Sequence, residues 1–333
     1  MTGRNRSFRV ETAFPIRLLA LDIDGTLVSD DLVIGERTRA AVRAASARGV
    51  AVSLVTGRMV SSGMRFAREL GLTAPIVGYQ GALIREIPAP GSTRVGRLLV
   101  HSPLPAAVAR EVVTWTRAHG LDPHVNHLER FILRADDPHA DDYSAFMGAR
   151  AELVPDIIAA IRHPVTKVLA VGEPPLPSEV AAAARAHFAG TADVTISHPR
   201  FLEFVAPGVS KGRAIRYLAR RLGVPLAATM AIGDQWNDLE MLGEVGHGTA
   251  MPTAPLQVRA AARYVAPPVG DEGVAAMIEA LVLADPRRAR DASDRLADEA
   301  RRALEPADAD EVAARRAAAA TEATDALPEP ASR

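Results

Sequence analysis

Short apolar runs that stop on a polar residue, with helically spaced segments between them, are the strongest constraint on how this chain folds. Residues 17–22, "RLLALD", end on an acid. Residues 50–58, "VAVSLVTGR", end in Thr56-Gly57-Arg58, and residues 74–84, "APIVGYQGALI", form a third apolar run with a turn. Between them, residues 36–48 and 61–70 carry helical spacing and stop at Gly49 and Gly71, where glycine suits the position after a helix. Strands alternating with helices predict an α/β chain: a doubly wound, Rossmann-like parallel sheet with helices on both faces. Ligands of such sheets bind beyond the carboxyl ends of the strands. Asp22, Thr56 and Gln80 fall at such ends.

The rhythm changes after residue 84. Residues 85–203 are rich in proline and carry amphipathic strand candidates ("RFILRA", "VTKVLAVG", "FLEFVA") with helices at 106–119 and 178–188. They read as an α+β unit inserted into the first domain. The doubly wound pattern returns with a helix at 211–222, the strand "AATMAIGD", a helix from Leu239, a strand near Gly246 and "ARYVAPP". The expected organisation is a loose polar leader (1–15), a core (16–84 and 204–284), an inserted cap (85–203) and a tail (285–333). Residues 286–333 lack aromatic residues, isoleucine and glycine. An isolated helix of that composition is marginal, so the tail is expected as a helical or disordered appendage that buries little.

Composition excludes some chemistry. The chain has 333 residues and no cysteine, so disulfides, thiolate metal sites and cysteine nucleophiles are out. A net charge of −1 gives no bulk attraction to nucleic acid or to an anionic membrane. The first twenty residues lack a signal-peptide pattern, and a cytoplasmic protein is the default expectation. Of 39 basic residues only Lys167 and Lys211 are lysine. Lysine is a compact point charge that arginine replaces poorly at a tight anion site, so both are singled out.

Two acidic segments share one kind of location. Asp22-Ile23-Asp24-Gly25-Thr26 follows the first strand, and Asp234, Asn237 and Asp238 follow a late one. Taken alone, each could be an ordinary turn built from Asp and Gly. Carboxylates at the same end of neighbouring parallel strands repel unless a cation neutralises them, and hard oxygen ligands favour Mg²⁺. A carboxylate beside Mg²⁺ and a lysine can attack a phosphoryl group.

"LDIDGTL", "TGR", "GVSKG" and "IGDQWNDLEML" resemble, in order, the four motifs of the haloacid dehalogenase superfamily. The finer pattern resembles its Cof-type phosphatase branch, which carries a large (class IIB) α+β cap between the second and third motifs. "PIVGYQGALI" and the run "HGTAMPTAPLQVRAAARYVAPPVGDEGVAAMIEAL" fit that branch too. The resemblance covers residues 16–283. It implies a phosphomonoester hydrolase in which Asp22 becomes an aspartyl-phosphate, Asp24 shuttles the proton, Thr56 binds a phosphoryl oxygen and Lys211 neutralises nucleophile and phosphate. It implies Mg²⁺ on the Asp22 carboxylate, the Asp24 carbonyl and Asp234, with Asp238 close by or through water. It implies substrate-side roles for Gly25, Thr26, Gly57, Arg58, Gln80, Gly81 and Asn237, and a small phosphorylated metabolite as substrate. Two departures bear on substrate rather than reaction: Gln80 stands where the branch commonly has Asn, and Gly248-Thr249-Ala250-Met251 replaces a run with Gly-Asn-Ala.

Other readings remain. Gly208-Val209-Ser210-Lys211-Gly212 fits the G-x-S-x-G elbow of a serine hydrolase, with Asp234 and His247 following in order. A phosphomutase and a non-catalytic phosphate-binding relative use the same motifs. No P-loop or dinucleotide fingerprint is present. His124-x-x-His127 could bind a metal, and one of His119, His124, His127 and His198 is expected at the substrate. Lys167 is expected to face substrate as well. Arg58 is placed for cap or substrate contact, or is a plain surface residue at a helix start. Trp236 is expected to pack at its turn or to line the entrance.

Overall fold

The computed structural model describes residues 10–304 apart from 90, 93–94, 139 and 148. The expectations for residues 1–9 of the leader and 305–333 of the tail lie outside the described residues. The strands, in order, are β1 (Leu18–Leu21), β2 (Ala51–Leu54), β3 (Ile76–Gly78), β4 (Leu83–Arg85), β5 (Leu98–His101), β6 (Asp122–His127), β7 (Arg130–Arg134), β8 (Glu152–Val154), β9 (Lys167–Val171), β10 (Asp193–His198), β11 (Phe201–Val205), β12 (Thr229–Gly233), β13 (His247–Ala250) and β14 (Tyr264–Val265).

A five-stranded parallel sheet runs β14-β13-β12-β1-β2. Its strands are nearly continuous apolar runs because both faces are covered. Successive β1 side chains point to opposite faces. Leu19 and Leu21 pack with Ala41, Val42, Phe66 and Ile278. Leu18 and Ala20 pack with Ala214, Ile215, Leu218 and Leu242. The chain winds outward from β1 in one direction and from β12 in the other. The crevice therefore opens where β1 and β12 end side by side, with Leu21 opposite Ile232.

β3 departs from the parallel series. It folds back through a turn into the antiparallel sheet β3-β4-β5 and meets β2's end through the single bridge Val55 to Val77. A six-stranded sheet, β10-β11-β9-β6-β7-β8, is antiparallel except for the β7–β8 pair. The helices Ala106–Ala118 and Ser178–His187 cover one face, against Val168, Ala170, Leu202 and Phe204. By the same alternation Lys167, Leu169 and Val171 of β9, and Phe201 and Glu203 of β11, point the other way, toward the crevice.

Two expectations about the ends change. Residues 286–302 form a helix started by Asp285, whose side chain accepts from the N–H groups of Arg287 and Arg288, both at 3.1 Å. Its Ala289, Ser293, Ala297 and Ala300 are buried, so it packs on the core instead of standing off it. Small side chains at helical spacing make that stripe, and an Arg- and Asp-rich background hides it in the sequence. The expected loose leader is also tied down from Ala13, whose N–H donates to Ala227 O at 2.8 Å.

His247 joins the two ends. Its Nε2 meets Ala13 O at 3.1 Å, and its Nδ1 meets Tyr264 Oη at 3.1 Å, which in turn touches Ser293 Oγ at 2.6 Å. A neutral imidazole, with Nε2–H donating to Ala13 O and Nδ1 accepting from Tyr264, satisfies this chain. Burial pushes His247 down to about 4 from an ordinary 6.5. The unfolded chain then binds the extra proton between those values. Stability from this group is complete above pH 6.5 and is lost as pH falls toward 4, amounting to about 3 kcal/mol. Thermal midpoints measured from pH 7 to pH 4 should fall less steeply for His247→Gln than for the parent protein.

Candidate active site

Asp22 directly follows β1 and Asp234 directly follows β12, so the crevice receives both. Lys211 is the first residue of the helix Lys211–Leu222, which Ser210 caps by accepting from the Arg213 N–H at 3.0 Å. Lys211 is fully buried, with Nζ 2.8 Å from Asp22 Oδ1 and 2.7 Å from Asp238 Oδ1. Asp238 Oδ2 accepts from the N–H groups of Asp234 at 3.0 Å and Gln235 at 3.1 Å. Asp234 Oδ1 accepts from the Thr26 hydroxyl at 3.1 Å. Gly25 has φ +71°, and a Cβ there would lie 2.5 Å from Asp234 Oδ2, so this close approach requires glycine.

One oxygen each from Asp22, Asp234 and Asp238 lies within 4.8 Å of the others. Burial raises the Asp22 pKa well above the usual carboxylate range, with Asp238 and Asp234 adding to it and Lys211 opposing it. Burial and then Asp238 push Asp234 up to about 7. Burial lowers Lys211, but Asp22 and Asp238 outweigh it and the net shift is upward. Three carboxylates share one ammonium, and the cluster lacks positive charge. An all-oxygen set short of a cation fits a hard divalent ion.

A cavity of about 430 Å³ opens over the cluster. Asp22, Asp24, Gly25, Gly57, Arg58, Asp234 and Asn237 line its floor, Lys167, Glu203, His198 and Phe201 come from the six-stranded sheet, and Tyr143 comes from the helix Ala140–Met147. Arg58 is buried and grips both oxygens of Asp24, Nε to Oδ2 at 2.7 Å and Nη2 to Oδ1 at 2.5 Å. Its first contact is thus Asp24 rather than solvent. The Thr56 hydroxyl accepts from the Arg58 N–H at 3.0 Å.

Three expected substrate residues do not line the cavity, and neither does Thr56, expected on a phosphoryl oxygen, which is buried just behind Gly57 and Arg58. Thr26 turns to Asp234. Gly81 lies against the Ser210 carbonyl, which a Cβ would meet at 2.4 Å. Gln80 sits at φ 61°, in the left-handed region that Asn enters more readily than Gln. Its side chain bridges instead, donating from Nε2 to Glu203 at 2.9 Å and accepting from Asn237 Nδ2 at 2.9 Å. Lys167 does border the cavity, but its Nζ is held by Glu203 at 2.6 Å and by Gly57 O at 2.8 Å.

The four histidines separate. His124 is buried against Asp137 at 3.0 Å and borders the cavity, while His127, three residues on, lines a different pocket with Arg130 and His163. An i, i+3 pair on a strand points to opposite faces, so the proposed His-x-x-His metal pair is not assembled. His198 borders the cavity, and His119 stacks on Trp115. Trp236 is 37% exposed and outside the cavity lining. The serine elbow also fails: His247 is committed to Ala13 and Tyr264, and Ser210 to its helix. Glu203 was missed in the sequence. Its period-2 position in "FLEFV", an acid among apolar inward residues, was the available signal.

A family model for haloacid dehalogenase-like hydrolases matches residues 19–278. The chain belongs to this family. The HMP-PP phosphatase of Cronobacter sakazakii is 32% identical over 246 residues, 73% of this chain and 87% of that protein. The 5-amino-6-(5-phospho-D-ribitylamino)uracil phosphatase of Bacillus subtilis is 29% identical over 242 residues, 70% and 86% of the two chains. Among solved structures, a haloacid dehalogenase-like hydrolase from Bacteroides thetaiotaomicron matches with TM-score 0.69 at 26% identity, covering 80% of this chain and 99% of that one. A HAD subclass IIB sugar phosphatase shares the fold, with TM-score 0.68 at 23% identity over 79% and 98% of the chains. This haloacid dehalogenase-like hydrolase is of the Cof-type branch and the phosphatase type, and its six-stranded sheet is the α+β cap inserted into the Rossmann-like core.

Proposed function

We propose that this enzyme is a Mg²⁺-dependent phosphomonoester hydrolase working through an aspartyl-phosphate on Asp22. One observation carries the reading: Asp22 stands at the cavity floor with one oxygen on the buried Lys211. The other oxygen is available for attack on phosphorus. The phosphorus–oxygen bond to the leaving group breaks as the bond to Asp22 forms, and Asp24 supplies the proton to the departing oxygen. Water then attacks phosphorus, Asp24 takes its proton, and inorganic phosphate leaves Asp22 free. Arg58 holds both Asp24 oxygens and favours the carboxylate, so Asp24 must loosen from Arg58 to carry the proton of the first step. Thr56 donates to the phosphoryl group, and Lys211 offsets repulsion between nucleophile and phosphate.

Asp22 and Asp234 would hold Mg²⁺ together with the Asp24 carbonyl, with Asp238 behind them. When bound, the ion supplies charge that the phosphoryl transition state needs. A cation that binds only the folded state stabilises it, by about 2.7 kcal/mol at a hundredfold excess over its Kd. Adding Mg²⁺ should raise the thermal midpoint by several degrees, EDTA should reverse the gain, and Asp234→Asn should suppress it.

The cavity volume suits a small metabolite. Sugar phosphates and flavin-precursor phosphates are the proposed substrates. The named activity of the Bacillus subtilis relative supports the flavin-precursor part of that range, and a wall that mixes Tyr143, Phe201 and Leu169 with Arg200 and Asp30 suits such a substrate. In this reading residues 16–84 and 204–284 are the catalytic core, 85–203 selects substrate, and the enzyme works in the cytoplasm. The test is phosphate release from a panel of phosphomonoesters with Mg²⁺, using Asp22→Asn as the blank. No release above that blank from any of them would end the proposal.

A further inference from the structure

The second of the two lysines has a task that its place in the cavity wall does not reveal. Lys167 is 3% exposed and lies on the cap strand β9. An ammonium has three protons to give. One goes to the carbonyl of Gly57 at 2.8 Å, while Glu203 pairs with the charge at 2.6 Å as an ion pair and the Tyr79 ring lies 5.6 Å from Nζ. Glu203 is itself anchored to the core by Gln80 at 2.9 Å, and Gln80 by Asn237 at 2.9 Å.

The acceptor matters most. Gly57 O belongs to the Gly57–Arg58 peptide, whose N–H donates to the Thr56 hydroxyl at 3.0 Å. In a trans peptide the C=O and N–H point opposite ways, so holding one end sets the other. A hydroxyl that accepts from that N–H keeps its own proton for an incoming phosphoryl oxygen. We propose that Lys167 is a positioning residue for Thr56, acting through the Gly57–Arg58 peptide, with Glu203 fixing it in place.

The inference rests on the phosphatase reading and deepens it. A cap residue completes a phosphoryl donor on the core, so seating of the cap and binding of the phosphoryl group become one event. Arginine, with a longer planar fork, does not reproduce a single ammonium shared between a carbonyl and a carboxylate. That accounts for a lysine here in a chain that has only one other.

The test is a mutant cycle in the full chain with Mg²⁺, reading kcat and KM on p-nitrophenyl phosphate and on acetyl phosphate. Wild-type turnover, lost in Asp22→Asn, is measured first. If it is absent, the phosphatase reading falls and this inference falls with it. Lys167→Met alone would strand a buried carboxylate. The variant is therefore Lys167→Met/Glu203→Gln, checked by thermal melting, with Lys167→Arg, which keeps the charge for Glu203, run in the same cycle should the double variant not fold. Turnover should drop roughly 10- to 100-fold, equally on both substrates because the phosphoryl group is common to them. In a Thr56→Val background the same change should cost less than about twofold more. Losses that multiply across the two backgrounds, or that differ between the two leaving groups, would show that Lys167 acts on substrate directly and overturn the proposal.

Discussion

Exchanging Asp22 for Asn should remove phosphate release by about four to six orders of magnitude while leaving the protein folded. The amide is close to isosteric with the carboxylate but cannot attack phosphorus. Folding should survive because Lys211 keeps Asp238 at 2.7 Å when the Asp22 charge is gone. The buried Asp22 charge is itself a cost, as its raised pKa shows. The thermal midpoint of Asp22→Asn should therefore equal or exceed that of the parent. Ser210→Ala supplies the contrast. It removes the cap of the helix Lys211–Leu222, worth about 1 kcal/mol, and should leave turnover intact. Phosphate release and melting curves on the two variants check this. Turnover within tenfold of the parent in Asp22→Asn would sink the nucleophile assignment.

The floor of the site was legible in the sequence because its information is local. A parallel strand must be apolar, and the first polar residue after it lands at the sheet's carboxyl edge. Asp22, Thr56 and Asp234 need no knowledge of the rest of the chain to be placed there. The wall of the site was not legible in that way. Glu203 meets Gln80 across 123 positions, and Lys167 meets Gly57 across 110. Such pairs depend on how the cap seats on the core. Alternation within β9 and β11 predicts which side chains face inward, but not what they meet. Lys167 illustrates the gap: its rarity marked it, yet its partners are a carbonyl and a carboxylate instead of an open cavity. The packing of the C-terminal helix, itself one of the expected forms of the tail, was not legible for another reason. Its buried stripe is alanine and serine, which composition alone does not distinguish from a solvated surface.

Replacing Lys211 by Met should be the most destabilising single change in the site. The ammonium is fully buried between Asp22 and Asp238, and Asp234 lies in the same cluster. Removing it leaves three carboxylates within 4.8 Å of one another and no cation among them. Breaking a buried ion pair from one side costs about 3–5 kcal/mol because the remaining charge stays buried and unpaired. Lys211→Arg should not rescue it, since a planar guanidinium is larger than an enclosed ammonium site that offers single oxygens on two sides. Loss of activity alone would not separate electrostatics from packing. The double variant Lys211→Met/Asp22→Asn does. It removes one of the repelling charges and should melt at a higher temperature than Lys211→Met, although both are inactive. If the second substitution restores no stability, repulsion among the carboxylates is not the source of the loss. If it does, the lysine that holds Asp22 is also what permits the acids to lie together, and Mg²⁺ added to Lys211→Met should recover part of the lost stability by replacing the missing charge.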